Sequence, residues 1–201
     1  MRKMRKGPKI VSENSLITNK RLKGYDYIPS RVVIPNARTE VSWIVLHTIE
    51  NNEHADQARK FALWAKNDPT CKVSFHFVVD DKEAIQCAEL TSQTATDRGT
   101  NKTGIHIEMS GRARQTREEW YDNYSNAMLI NVEKLVAKLC KKLSIPIKFI
   151  DAHGLLRGEK GITTHNESRK AFKMTTHTDP GGGFPMKEFI QDIEIFWFDN
   201  A

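Results

Sequence analysis

The chain has 201 residues, of which 39% are hydrophobic and 28% charged, with a mean hydropathy of -0.55. This composition excludes collagen, a disulfide-stapled miniprotein and wholesale disorder, and no apolar run reaches the ~18–20 residues of a membrane-spanning helix. The net charge of +6 and the pI near 9.2 favour anionic partners such as nucleic acid, an anionic membrane or an anionic wall polymer. The length fits one domain, or one domain with a short arm.

Residues 1–40 are polar and basic and contain several glycine and proline residues. We interpret them as an N-terminal basic arm that wraps the domain or stays mobile, with at most a short strand at residues 32–34. The folded domain is predicted to occupy residues 41–201.

Two features bear on the cellular compartment. The first nine residues have the basic end of a signal peptide without its apolar stretch, so we expect a protein made in the cytosol and not exported by that route. The three cysteines are an odd number and contain no C-x-x-C pair, which predicts free thiols in a reducing compartment. They are Cys71, Cys87 and Cys140.

Short segments rich in β-branched and aromatic residues predict strands. They lie at residues 41–47, 74–80, 84–87, 104–109 and 147–150. The fourth segment alternates strictly, so its two sets of side chains face opposite ways. One set is Ile105, Ile107 and Met109, and the other is His106, Glu108 and Ser110.

Apolar residues at helical spacing predict four helices. They lie at residues 54–67, 117–143, 167–172 and 186–198. Strands that alternate with helices indicate an α/β fold, here a single domain with a central mixed β-sheet flanked by helices.

Three histidines and one aspartate are candidates for a metal site. His47 ends a predicted buried strand, where side chains emerge at the edge of a sheet, and His165, His177 and Asp179 lie in a region rich in glycine, serine and threonine. Two imidazoles and one carboxylate suit a catalytic zinc ion, because they leave a fourth position open for water. His153 follows another predicted strand and competes with His165 for the second position.

Five short motifs then occur in a fixed order. They are W-I-V-L-H ending at His47, V-S-F-H-F-V-V-D ending at Asp80, T-G-I-H-I-E-M-S-G around Glu108, G-I-T-T-H ending at His165, and T-D-P-G beginning at Thr178. Together they resemble the zinc-dependent N-acetylmuramoyl-L-alanine amidases of the type 2 family, and the resemblance covers about residues 41–195. That family also includes the peptidoglycan-recognition proteins, and the phage endolysin amidases are the most similar subtype.

The resemblance implies a role for each site residue. His47, His165 and Asp179 match the zinc ligands, and Glu108 matches the acidic residue that handles the proton of the attacking water. His177 lies two residues before Asp179, where relatives often carry a lysine that stabilises the developing oxyanion. A histidine can serve there as a hydrogen-bond donor, either as imidazolium or as neutral imidazole.

Other polar residues near these motifs have a less definite place. His106 shares a face with Glu108 and either lines the cleft or is packed and hydrogen-bonded. His76 is expected behind the site or in its wall. The family's substrate strip, which usually contains a histidine, reads A-T-D-R-G at residues 95–99.

The function implied is hydrolysis of the amide bond between N-acetylmuramic acid and L-alanine in peptidoglycan. We expect a monomeric phage endolysin in the host bacterial cytoplasm that reaches the cell wall after membrane permeabilisation. The alternatives are a cytosolic muropeptide-recycling amidase and a non-catalytic peptidoglycan-binding module of the same fold. A metal-binding residue type is present at all three ligand positions, which argues against the non-catalytic binding module. The basic residues are scattered along the chain, which argues against a nucleic-acid-binding domain.

Overall fold

A six-stranded mixed sheet forms the centre of the computed structural model, which describes residues 20–38 and 40–199. Its strands are β1 (Asp26–Tyr27), β2 (Trp43–Thr48), β3 (Phe77–Val79), β4 (Ala84–Gln86), β5 (Gly104–Met109) and β6 (Gly161–Thr164). They are arranged in the order β1-β4-β3-β5-β2-β6, and only the β3–β4 pair is antiparallel. The carboxyl ends of β2, β5 and β6 therefore meet at one edge of the sheet.

Helices cover both faces of the sheet. They are α1 (Gln57–Asn67), α2 (Asn123–Leu143), α3 (Ala152–Leu156), α4 (His165–Phe172) and α5 (Met186–Asp199). Helices α2 and α5 pack on the larger core, whereas α1 covers a smaller cluster on the opposite face. The predicted fold class, a single α/β domain with a mixed sheet flanked by helices, is confirmed. No helix among the described residues is long and apolar enough to span a membrane.

The alternation predicted for β5 is also confirmed. Ile105, Ile107 and Met109 are fully buried in the larger core beneath α2 and α5. His106 and Glu108 consequently point to the other face of the sheet, where β2 pairs with β5 in the register Val45↔His106 and His47↔Glu108. This register places the polar side chains of two neighbouring strands side by side.

The structure differs from the sequence predictions in several elements, and strands β1 and β6 lie in segments for which no strand was predicted. The helix expected at 117–143 is interrupted, because Asp122 has an extended backbone and its side chain caps α2 by accepting the N–H of Ser125. A separate 3-10 turn, Glu119–Tyr121, precedes it. The strand expected at 147–150 is reduced to a single bridge between Phe149 and Ile162. Helix α3, five residues long, is too short to show a periodicity in the sequence.

Residues 20–38, which we assigned to the arm, lie against the domain. Strand β1 pairs with β4 at the edge of the sheet, and Leu22 joins the larger core. Within the segment predicted as a short strand, Ile34 forms one bridge with Gln93. Residues 1–19 lie outside the described part, and an arm–domain boundary at residue 40 stays a prediction.

The three cysteines are free thiols, as predicted, and all three are buried. Cys71 and Cys87 belong to the smaller cluster under α1. Cys140 belongs to the larger core on the α2 side. The two faces of the sheet thus each contain at least one thiol.

Candidate metal centre

Three elements bring the predicted metal ligands together at the carboxyl edge of the sheet. His47 lies near the end of β2, and His165 is the first residue of α4, directly after β6. Asp179 comes from the loop between α4 and α5. Its carbonyl oxygen accepts the N–H of Asn166 at 3.0 Å, and its carboxylate accepts the N–H of Thr48 at 3.3 Å. The loop is thus hydrogen-bonded to both β2 and α4, the two elements that supply the histidines.

Gly181 explains how this loop can lie so close to the segment after β5. Its φ is +87°, and a Cβ atom at this position would collide with the carbonyl oxygen of Ala113. Only glycine combines this backbone conformation with such a close approach. Gly181 is therefore required by packing at the site.

The distances between the three side chains fit a zinc ion. The two Nδ1 atoms of His47 and His165 are 3.0 Å apart. Asp179 places one carboxylate oxygen 3.3 Å from Nδ1 of His47 and the other 3.1 Å from Nδ1 of His165. Ligand atoms about 2.0–2.1 Å from a tetrahedral zinc ion are separated by about 3.3 Å. Within the described part of the chain this is the only such group of three or more residues.

The protonation states of His47 and Asp179 also suit a metal. Burial lowers the pKa of His47 below its usual value, which keeps the imidazole neutral. Burial alone would raise the pKa of Asp179, but the adjacent imidazoles of His165 and His47 outweigh it and lower that pKa below its usual value. A neutral imidazole and an ionised carboxylate are the forms that bind metal ions.

Glu108 lies beside the three residues as a buried carboxylate. It is the register partner of His47 on the adjacent strand and is 9% exposed. Burial raises the pKa of Glu108 well above its usual value, and the charges of Asp179 and Glu50 raise it further. A carboxylate with a raised pKa is a better proton acceptor near neutral pH than an ordinary glutamate.

His177 lies at the mouth of the group. Its ring stacks on that of His165 with 4.8 Å between centroids, and its Nδ1 is 3.8 Å from Asp179. The side chain is 63% exposed, so it can meet a substrate from outside. The structure therefore gathers all five residues predicted from the sequence in one place, and their catalytic roles stay predictions.

Of His165 and His153, only His165 lies with the other two candidate ligands. His153 is exposed on α3 and does not belong to the group of potential ligands. His165 is 4% exposed and faces His47 directly. His54, expected to be a surface residue, is exposed.

Sequence reasoning missed two acidic residues next to the site. Asp97 is 1% exposed and lies 3.8 Å from Nε2 of His165, although it belongs to a loop without hydrophobic periodicity. Glu50 follows β2 and accepts hydrogen bonds from the Thr48 hydroxyl and the Ala113 backbone. Asp97 lies within residues 95–99, where the sequence departs from the family's substrate strip.

Comparisons with known proteins show that the fold is shared with solved structures. Solved structures with a similar fold include a hydrolase named AmiA from Staphylococcus aureus in complex with its ligand, with a TM-score of 0.67, 16% identity and coverage of 88% of this chain and 83% of that chain. A mutant endolysin from Bacillus subtilis gives a TM-score of 0.52 and 19% identity, with coverage of 84% and 97%. The endolysin amidase LysCS from Clostridium intestinale gives a TM-score of 0.56 and 12% identity, with coverage of 88% of this chain and 99% of that chain.

Sequence comparison gives the family. No match is found among the curated proteins. The sequence profile described as N-acetylmuramoyl-L-alanine amidase, however, matches residues 37–182, which is well over half of the chain and contains His47, Glu108, His165 and Asp179. Its span and the fold shared with amidases and endolysins lead to one conclusion: the chain belongs to the N-acetylmuramoyl-L-alanine amidase family.

Proposed function

We propose that this chain is a zinc-dependent amidase that hydrolyses the amide bond between N-acetylmuramic acid and L-alanine in peptidoglycan. The observation that carries the proposal is the buried set of His47, His165 and Asp179, whose ligand atoms are spaced for a tetrahedral zinc ion. When bound, zinc supplies Lewis-acid chemistry that polarises a carbonyl group and activates water.

Two side chains carry out the proton transfers and stabilise the oxyanion. A carboxylate oxygen of Glu108 accepts the proton of the attacking water and returns it to the leaving amine, and the raised pKa of Glu108 suits both transfers. His177 donates a hydrogen bond to the oxyanion that develops on the carbonyl oxygen. The exposure of His177 supports this role, because the scissile amide must approach from solvent.

We further propose that the protein acts as a phage endolysin, monomeric and resident in the host cytoplasm until the membrane is permeabilised. The similarity of its fold to endolysins supports this proposal. The net charge of +6 supports adsorption to anionic wall polymers. The presence of all three candidate metal ligands disfavours a module that only binds peptidoglycan.

Mass spectrometry of digested sacculi tests the reaction. Purified sacculi incubated with the zinc-loaded protein should yield new N-terminal L-alanine, without the new reducing ends that a glycosidase would create. Asp179→Ala and His165→Ala should lose zinc and activity together, whereas His153→Ala should keep both. Full activity in a chelated, metal-free sample would contradict the zinc proposal.

The same assay separates an endolysin from a recycling enzyme. An endolysin should release L-alanine termini from intact sacculi at least as well as from soluble muropeptides. Cleavage confined to soluble muropeptides would contradict the endolysin proposal while leaving the amidase reaction in place.

A further inference from the structure

His47 is held from behind by a second histidine, and the importance of this contact for metal binding rests on the proposed zinc site. His47 faces the other two ligands with Nδ1, which lies 3.0 Å from His165 and 3.3 Å from Asp179. A neutral imidazole that offers the lone pair of Nδ1 to a metal must carry its proton on Nε2. That N–H points into the protein and requires an acceptor.

His106 is in the position of that acceptor. Its Nδ1 lies 3.0 Å from Nε2 of His47, and both side chains are almost completely buried. Accepting this hydrogen bond requires a lone pair on Nδ1, so the proton of His106 must lie on Nε2. Nε2 of His106 is buried and has no hydrogen-bond partner in the structure. A buried N–H without a partner costs stability, which a purely structural role for His106 does not explain.

A second buried imidazole fixes His106 in turn. The backbone N–H of His106 donates to Nδ1 of His76 at 3.0 Å, and Nε2 of His76 lies 3.1 Å from the carbonyl oxygen of Ser92. Arg38, itself 7% exposed, donates to the same carbonyl group and to that of Gly104 at the start of β5. The backbone of His106 is thus held by His76, whose own ring contacts Arg38 and the loop after β4.

We propose that His106 is a positioning residue for the metal: it accepts the hydrogen bond of His47 Nε2–H and so fixes the tautomer and the ring orientation that present Nδ1 to zinc. Metal-ligating histidines commonly donate their second N–H to such a partner, and loss of the partner typically weakens metal binding by about 10–100-fold. His106 uses an imidazole nitrogen where a carboxylate or carbonyl oxygen usually serves.

Two substitutions at position 106 separate hydrogen bonding from packing. His106→Leu fills a similar volume without an acceptor, whereas His106→Asn places an amide oxygen close to where Nδ1 lies. Zinc affinity of the full chain should be measured by competition with a chromophoric chelator at fixed neutral pH. We expect His106→Leu to bind zinc about 10–100-fold more weakly than wild type, and His106→Asn to recover most of the loss.

Ile107→Val is the matched control. It alters the neighbouring residue of the same strand, on the opposite face, and should leave zinc affinity unchanged. Equal affinity in wild type and His106→Leu, or an Asn variant as weak as the Leu variant, would overturn the inference while leaving the amidase proposal intact. A wild-type chain that binds no zinc would overturn both.

A measurement on the wild type keeps the inference testable if the variants fail to fold. In the zinc-loaded protein labelled with 15N-histidine, long-range proton–nitrogen spectra report which ring nitrogen carries each proton. The inference requires His47 and His106 both protonated on Nε2. A proton on Nδ1 of His106 would overturn it.

Discussion

Glu108 is the residue whose environment is most unusual for its type. It is a carboxylate buried beside two other acidic residues, and its pKa is raised by burial and by their charges. Glutamine has the same shape but cannot accept a proton, so Glu108→Gln should lower turnover by roughly 10²–10⁴. The rate of L-alanine release and the zinc content should be measured on the same preparation.

Zinc content separates proton transfer from metal binding at Glu108. The variant should retain about one zinc ion per chain, because Glu108 is not among the three ligands. Glu118→Gln, an exposed glutamate before the 3-10 turn, is the control and should keep the wild-type rate. A fully active Glu108→Gln enzyme would remove Glu108 from the mechanism even if the family assignment stands.

His177 allows a different test, because it is exposed and stacked on a ligand rather than buried beside one. His177→Ala removes a hydrogen-bond donor for the oxyanion and should lower turnover by about 10²–10³. Zinc should stay bound, since His47, His165 and Asp179 remain. His54→Ala, at another exposed histidine, should have no effect, and loss of zinc from His177→Ala would show that His177 supports the metal instead.

At the scale of elements, helix α2 carries a titratable group away from the site. Glu133 lies on the buried face of α2 and is 5% exposed, and burial, with the charge of Asp192, raises its pKa from the ordinary 4.5 to about 7. The folded state therefore binds more protons than the unfolded state between these values. The contribution of Glu133 to the free energy of unfolding should therefore be largest below pH 4.5. It should fall as the pH rises to about 7.

Replacing this carboxyl group tests that dependence. Glu133→Gln should stabilise the protein by about 1–3 kcal/mol at pH 8 and have little effect at pH 4.5. Urea unfolding at the two pH values measures the difference. Glu194→Gln, exposed on α5, is the matched control. An equal effect of Glu133→Gln at both pH values would show that the carboxyl group ionises normally.

Elements also differ in how far the sequence alone determines them. The alternation in residues 104–109 was sufficient to place Glu108 and His106 on one face, because the side-chain period of a strand is fixed by its backbone. The break before α2 was not predictable from hydrophobic spacing, since it depends on one side chain, Asp122, capping Ser125. Periodicity reports which face is buried, but not where a cap interrupts a helix.

For the molecule as a whole, the ligand set was predictable only through the order of motifs. His47 and His165 are 118 residues apart, and no local pattern shows that they meet. Arg38 was assigned to the arm because its segment is polar, yet it donates to Gly104, 66 residues away. Contacts of this kind depend on the register of the assembled sheet and leave no signal in a local stretch of sequence.

The buried thiols make the two faces of the sheet separately observable in solution. Burial raises the pKa of Cys140 to about 12 and that of Cys87 above its usual range, so both react with alkylating reagents only after the surrounding structure opens. Labelling followed by peptide mass spectrometry therefore gives an opening rate for each face. Equal rates for Cys71, Cys87 and Cys140 would indicate one cooperative unit, and faster labelling at Cys71 and Cys87 would indicate that the α1 side opens by itself.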